Sequence, residues 1–301
     1  MSFLWTNSTK SGLCDRLIDL FIVASTAKLY NTELYLYWEE QPINIVQKNI
    51  WNKIRFDDYK IENVSQYFIF PDTIHIISKK NLSNFKSLHY DIVFNHYLGG
   101  IYSPITFYEK FIDKKYTLKQ YLDIFKNMIH NFKPTDKLLN LVKDVPENIV
   151  SVHLRRTDKT FIYISSLQSC CVSLSELNDL NNNTKDIINI ISKENHLYFS
   201  SDCPSTKIEY ENYYKDHNII NFNVNNVIEQ TYVDIYVMSI SKFIIMSQKH
   251  SSFSLFASLI NNTKLICLYN DSIIHDNKYD KYYNIIYYKD FINSLETLTL
   301  A

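Results

Sequence analysis

Apolar and polar positions change period several times along this chain, and the changes divide it into short elements. Residues 2–6 alternate as a strand, residues 17–30 repeat with the helical period, and residues 34–38 return to strand alternation. The same pattern predicts a helix over residues 43–54, strands over 67–70 and 92–95, and a helix over 116–131. Pro134 and Pro146 bracket a short amphipathic piece, residues 137–142, and mark a seam. Beyond the seam the alternation is regular. Strands at 149–154, 197–200, 219–222, 243–246 and 265–269 are separated by helices at 174–192, 205–214, 227–240 and 252–260. Strands that alternate with helices of this length build parallel α/β sheets, which bind ligands beyond the carboxyl ends of their strands.

Composition changes this picture at a few points. The chain has 301 residues, 46% hydrophobic and 21% charged, with a net charge of -1, so no overall field draws it to nucleic acid or to an anionic membrane. Leu17 to Ala27 is apolar but is flanked or interrupted by Asp15, Arg16 and Asp19, and no run reaches membrane-spanning length. With no signal peptide and an odd count of five cysteines lacking metal-ligand spacing, reduced thiols and a cytoplasmic location are the expectation. Arginine occurs only at Arg16, Arg55, Arg155 and Arg156, in a chain that otherwise uses lysine. Two adjacent arginines in such a chain point to a place where a planar, always-charged fork is needed.

That pair follows the strand at 149–154, in His153-Leu154-Arg155-Arg156-Thr157-Asp158-Lys159. A guanidinium grips two phosphate oxygens at once, and a second cation helps to neutralise a diphosphate. An exposed basic turn with Asp158 paired to one arginine fits the same residues. The run resembles the H-x-R-R-x-D signature of the α1,2-, α1,6- and protein O-fucosyltransferases. Tyr198-Phe-Ser-Ser-Asp-Cys-Pro204 is similar to the second motif of that superfamily. Val233-Asp-Ile-Tyr-Val-Met-Ser239 with Lys249-His-Ser-Ser-Phe-Ser254 is similar to the third. The chain departs from the α1,2 branch in carrying Leu255-Phe256 where two tryptophans are usual, and from the α1,6 branch in Asp202-Cys203 where two acids stand. The departures leave the acceptor linkage open.

The resemblance implies an α/β, GT-B fold of two Rossmann-like domains facing across a cleft. Residues 1–145 would form the acceptor-side domain and residues 146–301 the domain that binds the GDP-sugar. It implies an inverting fucosyl transfer from GDP-fucose to a hydroxyl of a glycan or glycoconjugate. Arg155 would stabilise the β-phosphate, and Arg156 and Asp158 would hold the loop. His153, Asp202, Asp234, Ser251, Ser252 and Phe253 join Arg155 as the implied donor-binding set, with Asp234 and His153 at the guanine edge.

Several of these residues also carry plainer readings. Ser251 and Ser252 are good N-caps, and the helix start behind them offers free N–H groups to a phosphate. A histidine at a strand end packs in many cores, and Asp202 suits a turn before Pro204. Gly12 and Cys14, in Ser11-Gly12-Leu13-Cys14-Asp15-Arg16, resemble a reduced Gly-x-Gly loop near the diphosphate. They also fit a tight turn and a packing thiol. Asp15, Glu39 and Asp158 are candidate general bases. No Asp-x-Asp and no His/Cys cluster occurs in the chain, so no cofactor and no metal is expected, and cations with helix dipoles would meet the diphosphate charge. The rival readings are a GT-B enzyme for another nucleotide sugar and a non-catalytic nucleotide-binding relative.

Overall fold

The structure, a computed structural model, describes residues 2–7, 12–38, 60–78, 81, 92–94, 103–155, 174–247, 251–268 and 283–299. The predicted helix over 43–54, and Glu39, Arg156 and Asp158, lie outside these residues. The chain divides into two compact units, Met1–Asn140 and Leu141–Ala301.

In the first unit, β1 (Ser2–Asn7), β2 (Glu33–Trp38), β4 (Ile74–Ile77) and β5 (Ile92–Phe94) form a wholly parallel sheet in the order β4-β2-β1-β5. A small antiparallel pair joins β3 (Phe68–Ile69) to β6 (Lys133–Pro134). Helix α1 (Leu13–Leu29) is apolar nearly all round and accordingly buried along most of its length. Its Arg16, 4% exposed, lays its guanidinium 3.8 Å from the centroid of the Trp38 ring at the end of β2. The remaining helices are α2 (Ile61–Tyr67), α3 (Ser103–Phe111), α4 (Leu118–His130) and α5 (Asp136–Leu141). Thr117 and Gln120 close a reciprocal capping box at the start of α4. Phe132, just after α4, stacks on Phe68 at 4.5 Å and meets Phe21 edge-on at 5.5 Å, tying α1 to the small sheet.

The second unit contains β7 (Ile149–Leu154), β8 (His196–Ser201), β9 (Phe243–Met246), β10 (Lys264–Cys267) and β11 (Ile285–Tyr287), all parallel, in the order β11-β10-β9-β7-β8. The predicted strand over 219–222 is reduced to a single parallel bridge between Ile219 and Leu197, outside β8. Asparagines at 218, 221, 223, 225 and 226 leave that stretch little to bury. With this bridge included, the strand order is that of the dinucleotide-binding Rossmann sheet, whose order reverses between β7 and β9.

Helices α6 (Leu174–Ile191), α7 (Pro204–Tyr213), α8 (Val227–Ile240), α9 (Ser252–Asn261) and α10 (Tyr288–Thr299) complete the unit. All six residues of β7 are buried, as expected of a central strand covered on both faces. Val150, Val152 and Leu154 belong to the main core with Ile187, Ile188 and Tyr210 of α6 and α7. The alternate positions, Ser151 and His153, face the other way.

Candidate functional site

The side of the second sheet that carries Ser151 and His153 is where the polar residues gather. The parallel register pairs Ser151 with Tyr198 and His153 with Ser200, so all four lie on one face. Ser151 Oγ meets Ser241 Oγ at 2.6 Å, just past α8. His153, one residue from the end of β7 and 4% exposed, bonds through Nδ1 to Ser254 Oγ at 2.5 Å. Ser251 Oγ stands 3.5 Å from the same nitrogen, and the Phe253 ring lies 5.2 Å from the imidazole.

Ser251 is also the N-cap of α9, its Oγ accepting from the Ser254 backbone N–H at 3.3 Å. The capping reading and the site reading of Ser251 therefore hold together: one buried hydroxyl fixes the helix start and reaches the histidine. Ser252 and Phe253, the first two residues of α9, are half-buried. Because α9 follows β9, its N-terminus lies at the carboxyl edge of the sheet, as the exit of β7 does.

Arg155 leaves β7 half-buried. The residue before it is held in place, since Ser201 Oγ donates to the Leu154 carbonyl at 2.5 Å and accepts from the Cys203 N–H at 3.1 Å. Leu154 pairs in register with Ser201, so Arg155 and Asp202 leave adjacent strands at one level. The Ser247 N–H donates to the His153 carbonyl at 3.1 Å, which ties the exits of β7 and β9 together.

Asp234 occupies the same sheet face from α8 and is 6% exposed. Its Oδ1 accepts from the Tyr198 hydroxyl and from Gln230 Nε2 (2.6 Å), and its Oδ2 accepts from Ser200 Oγ at 2.7 Å. Burial pushes this carboxyl above the ordinary carboxylate range, while the bonds from Tyr198 and Ser200 pull it down. Burial, with the Asp234 charge beside it, holds the Tyr198 phenol well above its ordinary range. Both oxygens of the carboxylate expected at a guanine edge are thus engaged inside the protein.

The structure brings His153, Arg155, Ser251, Ser252 and Phe253 to the exits of β7 and β9, with Asp202 at the neighbouring exit of β8. Gly12 and Cys14 belong to the first unit, where Gly12 is the N-cap of α1 and Cys14 is 3% exposed. Gly12 has an ordinary φ of -64°, and a Cβ there would come no nearer than 3.5 Å to Asp15 Oδ2, so neither backbone nor space demands a glycine. Sequence reasoning missed Ser254, Ser201, Tyr198 and Gln230. The alternation of Ser151 with His153 and of Tyr198 with Ser200 was available as a signal that one sheet face is polar. Among the described residues no group of three or more His, Cys, Asp or Glu could hold a metal ion. None of the described helices is long and apolar enough to cross a membrane.

No protein-family model matches the chain, and no curated protein matches it in sequence. Its fold matches solved fucosyltransferases. The NodZ α-1,6-fucosyltransferase soaked with GDP-fucose superposes with a TM-score of 0.54 and 12% identity, over 92% of this chain and 98% of that one. The same enzyme co-crystallised with GDP gives 0.52 and 14%, over 90% and 96%; NodZ is also represented by a structure from Bradyrhizobium. A mutant of Arabidopsis thaliana FUT1 in complex with GDP gives 0.52 and 11%, over 92% of this chain and 72% of that one. At these identities the likeness is one of fold: the chain has the α/β, GT-B-type fold of the fucosyltransferases.

Proposed function

We propose that this protein is a glycosyltransferase that moves fucose from GDP-fucose to a hydroxyl of a glycan or glycoconjugate, with inversion and without a metal. The observation that carries the reading is the pairing of strand exits at the point where the order of the second sheet reverses. Arg155 leaves β7 there, with His153 just inside the end of the strand, and the capped start of α9 lies at the exit of β9. A reversal of strand order opens the crevice in which such sheets bind nucleotides. A guanidinium and a helix N-terminus at one edge are the two groups that a diphosphate needs. NodZ soaked with GDP-fucose or co-crystallised with GDP, and FUT1 in complex with GDP, are proteins of this fold.

In the reaction the acceptor oxygen forms a bond to the anomeric carbon as the bond from that carbon to the β-phosphate oxygen breaks. The electron pair leaves with GDP, where Arg155 meets the growing charge, and the acceptor proton passes to a carboxylate, for which Asp15, Glu39 and Asp158 are the candidates. Arg156 and Asp158, outside the described residues, are the further motif residues that this reading assigns to the catalytic segment. His153, Ser251, Ser252 and Phe253 line the nucleotide, and Asp202 stands at its edge.

The test is turnover of GDP-fucose beside UDP- and other GDP-sugars, followed by the Arg155→Lys protein. Lysine cannot reproduce a bidentate grip, so a loss of about 10²-fold or more is expected, in line with losing one charge-stabilising donor. The melting temperature should not change. Near-normal turnover by Arg155→Lys, or preference for a UDP-sugar, refutes the reading.

A further inference from the structure

The network around Asp234 fixes the direction of a neighbouring side chain that neither the motifs nor the fold assigns to the site. Tyr198, Gln230 and Ser200 all donate to the carboxylate. An ionised carboxylate only accepts, so the Gln230 amide must present Nε2 to it; the reverse orientation would set Oε1 against Oδ1. Nε2 also lies 2.8 Å from the Tyr198 hydroxyl oxygen, so the nitrogen end of the amide faces the cluster. The planar amide then carries Oε1 on its other arm, away from the cluster. Among the described residues Oε1 accepts no hydrogen bond.

The topology places the residue that carries that arm. Helix α8 runs into β9 through two residues, and Lys242 at that join donates to the carbonyl of Ile149, the first residue of β7. The C-terminus of α8 therefore lies at the amino edge of the sheet and its N-terminus at the carboxyl edge. Asp234 bonds Ser200, one residue from the end of β8. Gln230, one turn earlier on α8, lies about 6 Å nearer the carboxyl edge, beyond the end of β8 and toward the level at which Arg155 and Asp202 leave their strands.

We propose that Gln230, and not Asp234, reads the nucleobase: its Oε1 accepts a base N–H of the bound nucleoside diphosphate, while Asp234, Tyr198 and Ser200 hold the amide. The assignment rests on the proposed nucleotide site and changes the base discrimination expected of it. A carboxylate would accept the ring N–H and the exocyclic amine of guanine together, whereas one carbonyl oxygen contributes a single neutral hydrogen bond.

Calorimetric titration of the full chain tests it. Gln230→Met should weaken GDP by about 3- to 10-fold, the size of one lost hydrogen bond, and leave the binding of inorganic pyrophosphate unchanged. Wild type should bind either N1-methyl-GDP or IDP, each lacking one base N–H, more weakly than GDP, and Gln230→Met should erase that difference. Should the variant fold poorly, the two analogues on wild type decide alone. If wild type binds GDP, equal GDP affinity in Gln230→Met, or equal affinity of wild type for GDP and both analogues, overturns the assignment of Gln230 only. If wild type binds no GDP, the nucleotide reading falls and the assignment of Gln230 falls with it.

Discussion

A histidine at a strand exit can act on a ligand only if its ring is held, and His153 is held by hydroxyls. Ser254 Oγ at 2.5 Å and Ser251 Oγ at 3.5 Å both address Nδ1, and Ser254 is fully buried. Removing the nearer hydroxyl leaves a buried ring nitrogen with a weaker partner. Ser254→Ala should therefore lower the unfolding free energy by about 1–3 kcal/mol, measured by urea denaturation. It should also weaken GDP binding, because the imidazole loses its fixed orientation. A variant as stable as wild type would show that Ser254 does not hold the ring. At this scale the sequence was informative where a residue type was rare. Arg155 stood out because lysine is written almost everywhere else. Ser254 and Gln230 did not stand out, since a serine in the first turn of a helix and a glutamine one turn before an aspartate are both ordinary. Their roles come from contacts with β7 and β8, which lie far off in the chain.

Elements with a long, clean period were legible. Helix α8 spans the predicted 227–240 and β7 the predicted 149–154. The short ones were not: residues 67–70 read as a strand, but Tyr67 closes α2 and only Phe68–Ile69 pairs, with Lys133–Pro134. Two or three aromatic residues fit either period, and the pairing that decides between them is non-local. β4 and α3, of four and nine residues, were missed for the same want of length; α10 has a clear helical period and was not read. The cap of α9 and the bridge from β8 to α8 can each be tested at this scale. Ser251→Ala removes the cap and should cost about 1 kcal/mol in urea unfolding; an unchanged midpoint would deny the cap. The bond from Tyr198 to Asp234 joins β8 to α8, and burial, with the Asp234 charge and this bond adding to it, raises the pKa of the phenol when folded. A raised folded pKa means that stability is complete below the unfolded value, about 10, and is lost as pH rises from there toward the folded value. Wild type should thus lose stability above that pH, and Tyr198→Phe should lose it less steeply, by up to about 1.4 kcal/mol per pH unit. Parallel slopes for the two proteins would show that Tyr198 is not buried as a phenol.

Across the whole molecule the alternation of strands and helices made an α/β fold legible, but not the order in which the strands lie. That order places His153 and Arg155 beside the start of α9, and it depends on which strands pair, so no local pattern carries it. It also bears on how a diphosphate would be neutralised. A departing GDP gathers charge on its β-phosphate, which must be met by a bound cation or by fixed groups of the protein. The chain contains no Asp-x-Asp, the short motif that would offer a divalent ion two carboxylates beside the phosphates. It does place a permanently charged guanidinium at the exit of β7 and a helix N-terminus, capped by Ser251, at the exit of β9. In the proposed function these two groups meet the charge without an ion. Turnover of GDP-fucose should therefore be the same in excess EDTA as in buffer with Mg²⁺ or Mn²⁺, while Arg155→Lys should lose activity in both and recover it in neither. A sharp loss in EDTA that Mn²⁺ restores would mean that a bound cation, and not these two groups, carries the charge of the leaving diphosphate.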